Sequence, residues 1–298
     1  MNLRNVKLIF GNVFLLVLLG VISSACHSEG QEAVEPIQIP DTVKYQLSDI
    51  NLGHWKVTLP IGNPTEVKPP AILDYKTNNE LIPYMYNDST DGALVFYVTP
   101  TNSTTANSSY SRTELREQME PGNDKVNWTF TQGGSMKGTL AVDKMSKDIE
   151  GDYHRTIVMQ IHGRLTDSQK QQIKAKDNNA PPMLKIYWQD RKILVKTKQL
   201  KSLDVDDNEI LFTDAWEDAE GDFFSEEVGF EKFTLEVIVS DGKLEVKLNN
   251  DESLVYDNES IKRWSVFENY FKAGNYFQSK DAGSSSSVKY YNLKVSHP

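Results

Sequence analysis

The sequence predicts an all-β fold, a jelly-roll sandwich of two antiparallel sheets. Short runs rich in Val, Ile, Tyr, Phe and Thr, bounded by Gly, Asn, Asp or Pro, recur along most of the chain, which is typical of strands. Helical periodicity is weak and confined to residues 166–176 and 259–271. The runs FTLEVIVS and KLEVKLNN are joined by Asp241 and Gly242, a strong hairpin signal. Many strands and few helices in one long chain imply two packed sheets.

The predicted strands follow one another at short intervals. They cover residues 54–60, 93–100, 110–118, 134–142, 153–163, 183–190, 192–198, 233–240, 243–250 and 288–296. A chain of 298 residues is long enough for one large all-β domain, which we place at residues 43–298. Two polar segments, residues 165–182 and 203–227, are predicted to be either loops at the edge of a groove or solvated surface.

The first 26 residues have the layout of a bacterial export signal. Arg4 and Lys7 precede the apolar run LIFGNVFLLVLLGVI, and small residues follow it. Cys26, the only cysteine, resembles the lipidated cysteine of a lipoprotein box, although Ser23 replaces the usual leucine. Residues 27–42 are acidic, contain proline and lack periodicity, which predicts a flexible tether. We therefore expect an exported protein, either an outer-membrane or cell-surface lipoprotein or a periplasmic or secreted one.

Composition and motif content argue against several classes of function. The formal net charge of −10 disfavours nucleic acid and anionic membrane surfaces as partners. A polyanionic substrate would need a locally basic groove. The histidines are scattered, and the sequence contains no His-Glu-x-x-His helix, Gly-x-Ser-x-Gly turn or phosphate loop, so we expect no metal centre.

Three predicted strands carry chemically rich faces, because alternate side chains of a strand point to opposite sides. The rich faces hold Arg112, Glu114, Arg116 and Gln118; then Val158, Gln160 and His162; then Tyr270, Lys272, Tyr276 and Gln278. The opposite faces hold Ile157, Met159 and Ile161 in the second strand and Phe271, Ala273 and Phe277 in the third. Two arginines held by the carboxylate between them can present donor forks to an anion such as a uronate. His162 suits proton transfer near neutrality, and a tyrosine beside cations can have its pKa lowered.

Each segment also has an ordinary structural explanation. An Arg-Glu-Arg ladder is often a solvated charge network, Gln160 and His162 can form a structural hydrogen-bonded pair, and the tyrosine-rich stretch can be a plain amphipathic strand. Spacing alone does not show that the three segments meet in space.

Taken together and in order, RTELR (112–116), QIH (160–162) and YFKAGNYFQ (270–278) resemble the three signature segments of the alginate lyases of polysaccharide lyase family 7. The similarity spans the chain from about Val43 to its C-terminus. Where many family members carry Val or Ile and then Asn around the second tyrosine, this chain has Asn275 and Phe277. Since Asn275 is predicted to lie opposite the chemically rich face, we expect altered packing or subsite shape rather than loss of activity.

The resemblance implies a jelly roll with a groove across its concave sheet, where alginate, an anionic 1,4-linked uronate polymer, is cut by β-elimination without a metal or organic cofactor. Arg112 or Arg116, with Gln160, would neutralise the substrate carboxylate. His162 would be the base for one uronate epimer and Tyr276 the acid, whereas Tyr276 would serve both roles for the other epimer.

The resemblance also implies a set of substrate contacts. They are expected from Arg116, Glu114, Lys272, Gln278 and Tyr270. Lys272 would bind a neighbouring carboxylate or lower the pKa of Tyr276. Ile161, in place of the valine of other members, favours guluronate-containing blocks, and we expect a monomer.

Two functions of other classes stay open. A non-catalytic glycan-binding lipoprotein could use Tyr187 and Trp188 near the groove. A glycoside hydrolase would need two carboxylates about 5–10 Å apart. Glu114, flanked by arginines, would be a poor general acid for that reaction.

Overall fold

The computed structural model describes residues 47–101, 103–105 and 108–298. The predicted export signal, Cys26, the tether and the first residues of the predicted domain lie outside the described residues. No helix within these ranges is both long and apolar enough to cross a membrane.

The described chain consists mainly of strands. These are β1 (Asp49–Ile50), β2 (Trp55–Leu59), β3 (Thr65–Val67), β4 (Met85–Asp88), β5 (Ala93–Val98), β6 (Arg112–Glu117), β7 (Trp128–Thr129), β8 (Gly134–Met145), β9 (Thr156–Arg164), β10 (Asn179–Gln189), β11 (Lys192–Leu200), β12 (Trp216–Asp218), β13 (Asp222–Glu227), β14 (Phe233–Ser240), β15 (Lys243–Leu248), β16 (Glu252–Tyr256), β17 (Glu268–Phe277) and β18 (Ser286–Ser296). The α-helices are α1 (Asp167–Gln172) and α2 (Glu259–Arg263), and short 3-10 helices span Leu52–His54, Ala71–Asp74, Glu209–Leu211, Thr213–Ala215 and Trp264–Val266.

Over the described ranges the strands form two sheets. The eight-stranded sheet has the order β16-β15-β14-β8-β18-β5-β4, with β1 beside β18. The ten-stranded sheet has the order β12-β11-β10-β9-β17-β6-β2-β3, with β13 beside β11 and β7 beside β17. Neighbours are antiparallel apart from β1 and β18. The predicted jelly-roll sandwich is confirmed, and each predicted strand overlaps an observed one.

Alternation along the strands builds the core between the sheets. In β14, Phe233, Leu235, Val237 and Val239 are buried while the residues between them are partly exposed. Phe271 of the ten-stranded sheet is fully buried. Burying one such side chain contributes about 1.5–3 kcal/mol. The shared core therefore fixes the ten-stranded sheet from one side and leaves its other face, the groove face, for the site.

Local signals in the sequence are largely confirmed. Ser240 pairs with Lys243 across the predicted Asp-Gly turn, where Gly242 adopts a φ of 66° that its missing Cβ permits. The helices α1 and α2 lie inside the two weakly helical ranges. The second range nevertheless turns into strand β17 at Glu268.

A bulge changes the predicted faces of β9. Ile186 and Tyr187 of β10 are consecutive, but their partners Met159 and Ile157 are two residues apart, so Val158 is an extra residue. Val158 packs in the core, and Ile157 joins a small apolar cluster with Tyr187. The prediction that Ile157 lies in the core and Val158 on the opposite face is therefore wrong.

A second irregularity lies in β17. This strand takes three steps from Ala273 to Tyr276 while β9 takes two. Gly274 has a φ of 140°, and a Cβ on it would lie 2.7 Å from the backbone oxygen of Thr113. The faces predicted for β17 are nonetheless confirmed, since Ala273 and Phe277 are buried in the core and Tyr276 lies on the groove face.

Candidate active site

The three candidate segments occupy neighbouring strands, β9, β17 and β6, near the middle of the ten-stranded sheet. Tyr270 pairs with His162, Lys272 pairs with Gln160, and Tyr276 pairs with Arg112. Directly paired residues present their side chains on the same face of a sheet. The fold thus brings together segments that the sequence could only suggest were related.

These side chains surround a cleft of about 220 Å³ on the groove face. Its lining includes Arg112, Gln160, His162, Lys272, Tyr276 and Gln278. Residues 108–110, in the connection that leads into β6, also line it. Among the described residues that line this cleft there is no Asp or Glu.

His162 is held as a neutral imidazole. Its Nδ1 lies 2.9 Å from the carbonyl oxygen of Gly163, and because a carbonyl only accepts hydrogen bonds, Nδ1 carries the proton. The Nε2 atom therefore holds the free lone pair. Burial, assisted by the charge of Lys272, lowers the pKa of His162 to about 3. The ring stacks on that of Tyr270 at 5.3 Å, which fixes its plane.

Tyr276 is held as a protonated phenol. Burial raises its pKa above the ordinary value, and the nearby Arg112 guanidinium offsets this only in part. The Arg112 guanidinium carbon lies 5.3 Å from the centroid of the Tyr276 ring. The expected lowering of this pKa by Lys272 is wrong, because desolvation of the phenolate outweighs the neighbouring cations. The phenol is therefore protonated at neutral pH.

Glu114 positions other residues from beneath the cleft. Its side chain is 1% exposed, and Oε1 accepts a hydrogen bond of 2.5 Å from Nε2 of Gln160. The carboxylate also pairs with the Lys272 ammonium and lies 3.9 Å from Nε of Arg112. Burial lowers the pKa of Lys272 to about 8, although Glu114 opposes this shift.

The two arginines play different parts. Arg116 donates to the Glu117 carbonyl at 2.7 Å, the Asn127 side chain at 2.9 Å and the Asp124 carboxylate at 3.2 Å. Its guanidinium also covers the ring of Tyr270 at 4.1 Å. The prediction that Glu114 holds both arginines is therefore wrong for Arg116.

Arg112, by contrast, keeps donors for a ligand. It lines the cleft, its Nε is buried 3.9 Å from the Glu114 carboxylate, and its terminal amino groups form no hydrogen bond with the described residues. These terminal amino groups can therefore donate to a ligand. Arg112 rather than Arg116 is thus placed to meet an anion in the cleft.

The remaining predicted residues lie around these groups. Gln278 lines the cleft and donates to the Tyr276 carbonyl at 3.1 Å, which braces the end of β17. Arg116 and Tyr270 line an adjoining cavity of about 390 Å³ together with residues 177–179. The polar segment 165–182 therefore does border the groove face.

One cleft residue of β10, Lys185, was not predicted from the sequence, and another residue of β10, Trp188, was predicted on the wrong face. Lys185 lines the cleft, and its alternation with Tyr187 in MLKIYWQD would have pointed to a shared face. Tyr187 also lines the cleft, beneath the Arg155 guanidinium at 5.1 Å. Trp188 is fully buried and donates to the Gly229 carbonyl, so the expectation that it lies near the groove is wrong.

A neutral imidazole, a protonated phenol and an arginine with a free donor share one cleft on a β-sandwich. This combination defines an acid–base enzyme for an anionic substrate. The chain belongs to the alginate lyase family, whose model matches residues 50–297.

Solved structures show the same relationship. Alginate lyase A1-II′, a member of polysaccharide lyase family 7, is 33% identical, with 83% of this chain and 95% of that chain covered and a TM-score of 0.66. A Tyr-to-Phe variant of that enzyme, in complex with a product written GGG, is 32% identical over 84% of this chain and 97% of that chain, with a TM-score of 0.68. Alginate lyase AlgAT5 is 26% identical over 84% and 96%, with a TM-score of 0.59. No curated protein sequence matches the chain.

Proposed function

We propose that this protein depolymerises alginate by β-elimination at 1,4-linked uronates and releases unsaturated oligosaccharides. The observation that carries the proposal is that a neutral His162 and a protonated Tyr276 line the same cleft. Elimination needs one group that takes a proton and another that gives one.

The first requirement is to acidify the hydrogen on C5 of the uronate. That hydrogen is a poor acid while the adjacent carboxylate keeps its charge, so the enzyme must stabilise enolate-like charge. Arg112 supplies its guanidinium, which lines the cleft. The side-chain amide of Gln160 donates one hydrogen to Glu114, and its second hydrogen can be donated to the substrate.

The proton transfers then follow. His162 takes the C5 proton on Nε2, the C4–O bond breaks as the C4–C5 double bond forms, and Tyr276 gives its proton to the leaving oxygen. In guluronate the C5 hydrogen and the leaving oxygen lie on opposite sides of the ring, which suits separate base and acid. In mannuronate one group can serve both roles, but Tyr276 would first have to ionise against its raised pKa.

We therefore also propose a preference for guluronate-containing blocks. Ile161 was the basis of this expectation in the sequence. Its side chain is fully buried in the core, so it would act by setting the position of β9 rather than by touching the sugar. The ratio of kcat/KM on polyguluronate to that on polymannuronate measures this preference, and a ratio below one would refute it.

The activity itself is tested with separate polymannuronate, polyguluronate and alternating alginate in the presence of a metal chelator. A rise in ultraviolet absorbance from the new double bond is expected on guluronate-containing blocks. Retained binding with no absorbance change would instead favour the glycan-binding alternative. New reducing ends without a double bond would favour hydrolysis, although the described cleft lining offers no pair of carboxylates for it.

We further propose that the protein is exported, anchored by a lipid on Cys26, and monomeric. The sequence of residues 1–26 supports export and the anchor. Metabolic labelling with a fatty acid should tag the wild type and not a Cys26→Ser variant, and light scattering of the soluble form gives its mass. Equal labelling of both proteins would contradict the anchor.

A further inference from the structure

A row of side chains crosses the groove face in register. Paired residues on successive strands are Lys56, Arg116, Lys272, Gln160, Lys185 and Lys196. Adjacent strands of a sheet are about 4.8 Å apart. Cationic groups therefore recur across β2, β6, β17, β10 and β11 of a protein whose formal net charge is −10.

The end of this row on β10 and β11 holds an excess of positive charge. Lys185 and Lys196 are direct cross-strand partners, an arrangement of like charges that is unfavourable in itself. Asp218 of β12 lies 2.5 Å from Nζ of Lys185 and 2.8 Å from Nζ of Lys198. One carboxylate thus pairs with two lysines, and Lys196 lies beside both, as the cross-strand partner of Lys185 and two residues before Lys198 on β11.

Of these three lysines, Lys196 is the one whose charge is not balanced by a carboxylate of the described residues. It is partly buried, and no carboxylate of the described residues forms an ion pair with it. Lys185, its neighbour, lines the same cleft as His162 and Tyr276. The unpaired charge is therefore continuous with the reaction site.

We propose that Lys185, Lys196 and Lys198, of which the first and last pair with Asp218, form an outer subsite for the carboxylate of a uronate remote from the reacting sugar. The proposal rests on the proposed function for the class of its ligand. Asp218 binds Lys185 and Lys198 from one side and orients them. A substrate carboxylate beside Lys196 would relieve the repulsion between the cross-strand lysines.

The test measures binding, which requires no turnover. Calorimetry gives the Kd of a long oligouronate and of a disaccharide for a Tyr276→Phe background, with and without Lys196→Gln. Loss of one partly exposed ion pair should weaken binding of the long ligand about fivefold. The disaccharide should lose less, because its two sugars occupy only the positions on either side of the cleaved bond.

Two further variants distinguish an effect of the positive charge at Lys196 from an effect of the protein's overall charge. Lys196→Arg keeps the cation and should retain most of the affinity. Lys144→Gln removes an exposed lysine of the eight-stranded sheet and should leave the Kd unchanged. A Kd for Lys196→Gln equal to that of Lys144→Gln, or an equal loss for long and short ligands, would overturn the subsite. Absence of lyase activity in the wild type would instead count against the proposed function alone.

Discussion

His162 can act as a base because burial and nearby cations keep it neutral. Its pKa of about 3 lies far below the ordinary value, so its neutral form persists as the pH falls through the usual histidine range. The unfolded chain would take up a proton near pH 6.5, so this group lowers folding stability in acid rather than raising it. Lys272, with a pKa of about 8, loses its charge as the pH rises through that value.

The pKa values of His162 and Lys272 predict how kcat/KM on alginate varies with pH. The pH dependence of kcat/KM reports ionisations of the free enzyme. We expect no acid limb near pH 6.5 and an alkaline limb near pH 8. Lys272→Arg should move the alkaline limb upward, because a guanidinium keeps its charge. An acid limb close to the ordinary histidine pKa would show that His162 is not held neutral.

Asn275 lies opposite the groove face, as predicted, and is fully buried there among hydrogen-bond partners. Its amide donates to the carbonyls of Phe96 and Ser286 at 3.0 Å each and accepts from Thr156 at 2.7 Å. Asn275→Val would leave buried backbone carbonyls without donors, at a cost of about 3 kcal/mol of unfolding free energy. Urea unfolding measures this loss, with the exposed Asn63→Val as the control. Equal midpoints for the two variants would contradict this role.

At the scale of elements, the faces of β6 and β17 follow from simple alternation, which is why most site residues could be predicted. The face of β9 did not follow, because the bulge at Val158 carries no glycine or proline that would mark it. The separate roles of Arg112 and Arg116 depend on Asp124, which lies in the loop after β6. Such a tertiary contact leaves no periodic signal in the sequence.

The bulge in β17 gives a test at this scale. Gly274→Ala would place a Cβ 2.7 Å from the Thr113 oxygen and 2.9 Å from the Glu114 Cα, so both stability and turnover should fall. Gly151→Ala is a matched control, since Gly151 also has a positive φ, of 92°, but open space around it. We expect about 1 kcal/mol for the control and about 3 kcal/mol or more for Gly274→Ala. Equal losses would show that the close approach of β17 to β6 is unimportant.

For the whole molecule, charge distribution matters more than net charge. The chain has a formal net charge of −10, yet the groove face concentrates cations and places its carboxylates beneath or beside them. Such an arrangement attracts a polyanion locally while the remaining surface stays acidic. The net charge alone would have argued against the substrate that the site fits.

We propose above that His162 and Tyr276 carry out elimination on alginate as base and acid. The most direct measurement is the initial rate of double-bond formation on polyguluronate by wild type, His162→Ala and Tyr276→Phe, each checked for a wild-type unfolding midpoint. We predict that each substitution lowers kcat by about 100-fold or more while the Kd for oligouronate changes little. A Tyr276→Phe or His162→Ala protein that turned over at close to the wild-type rate would contradict the account.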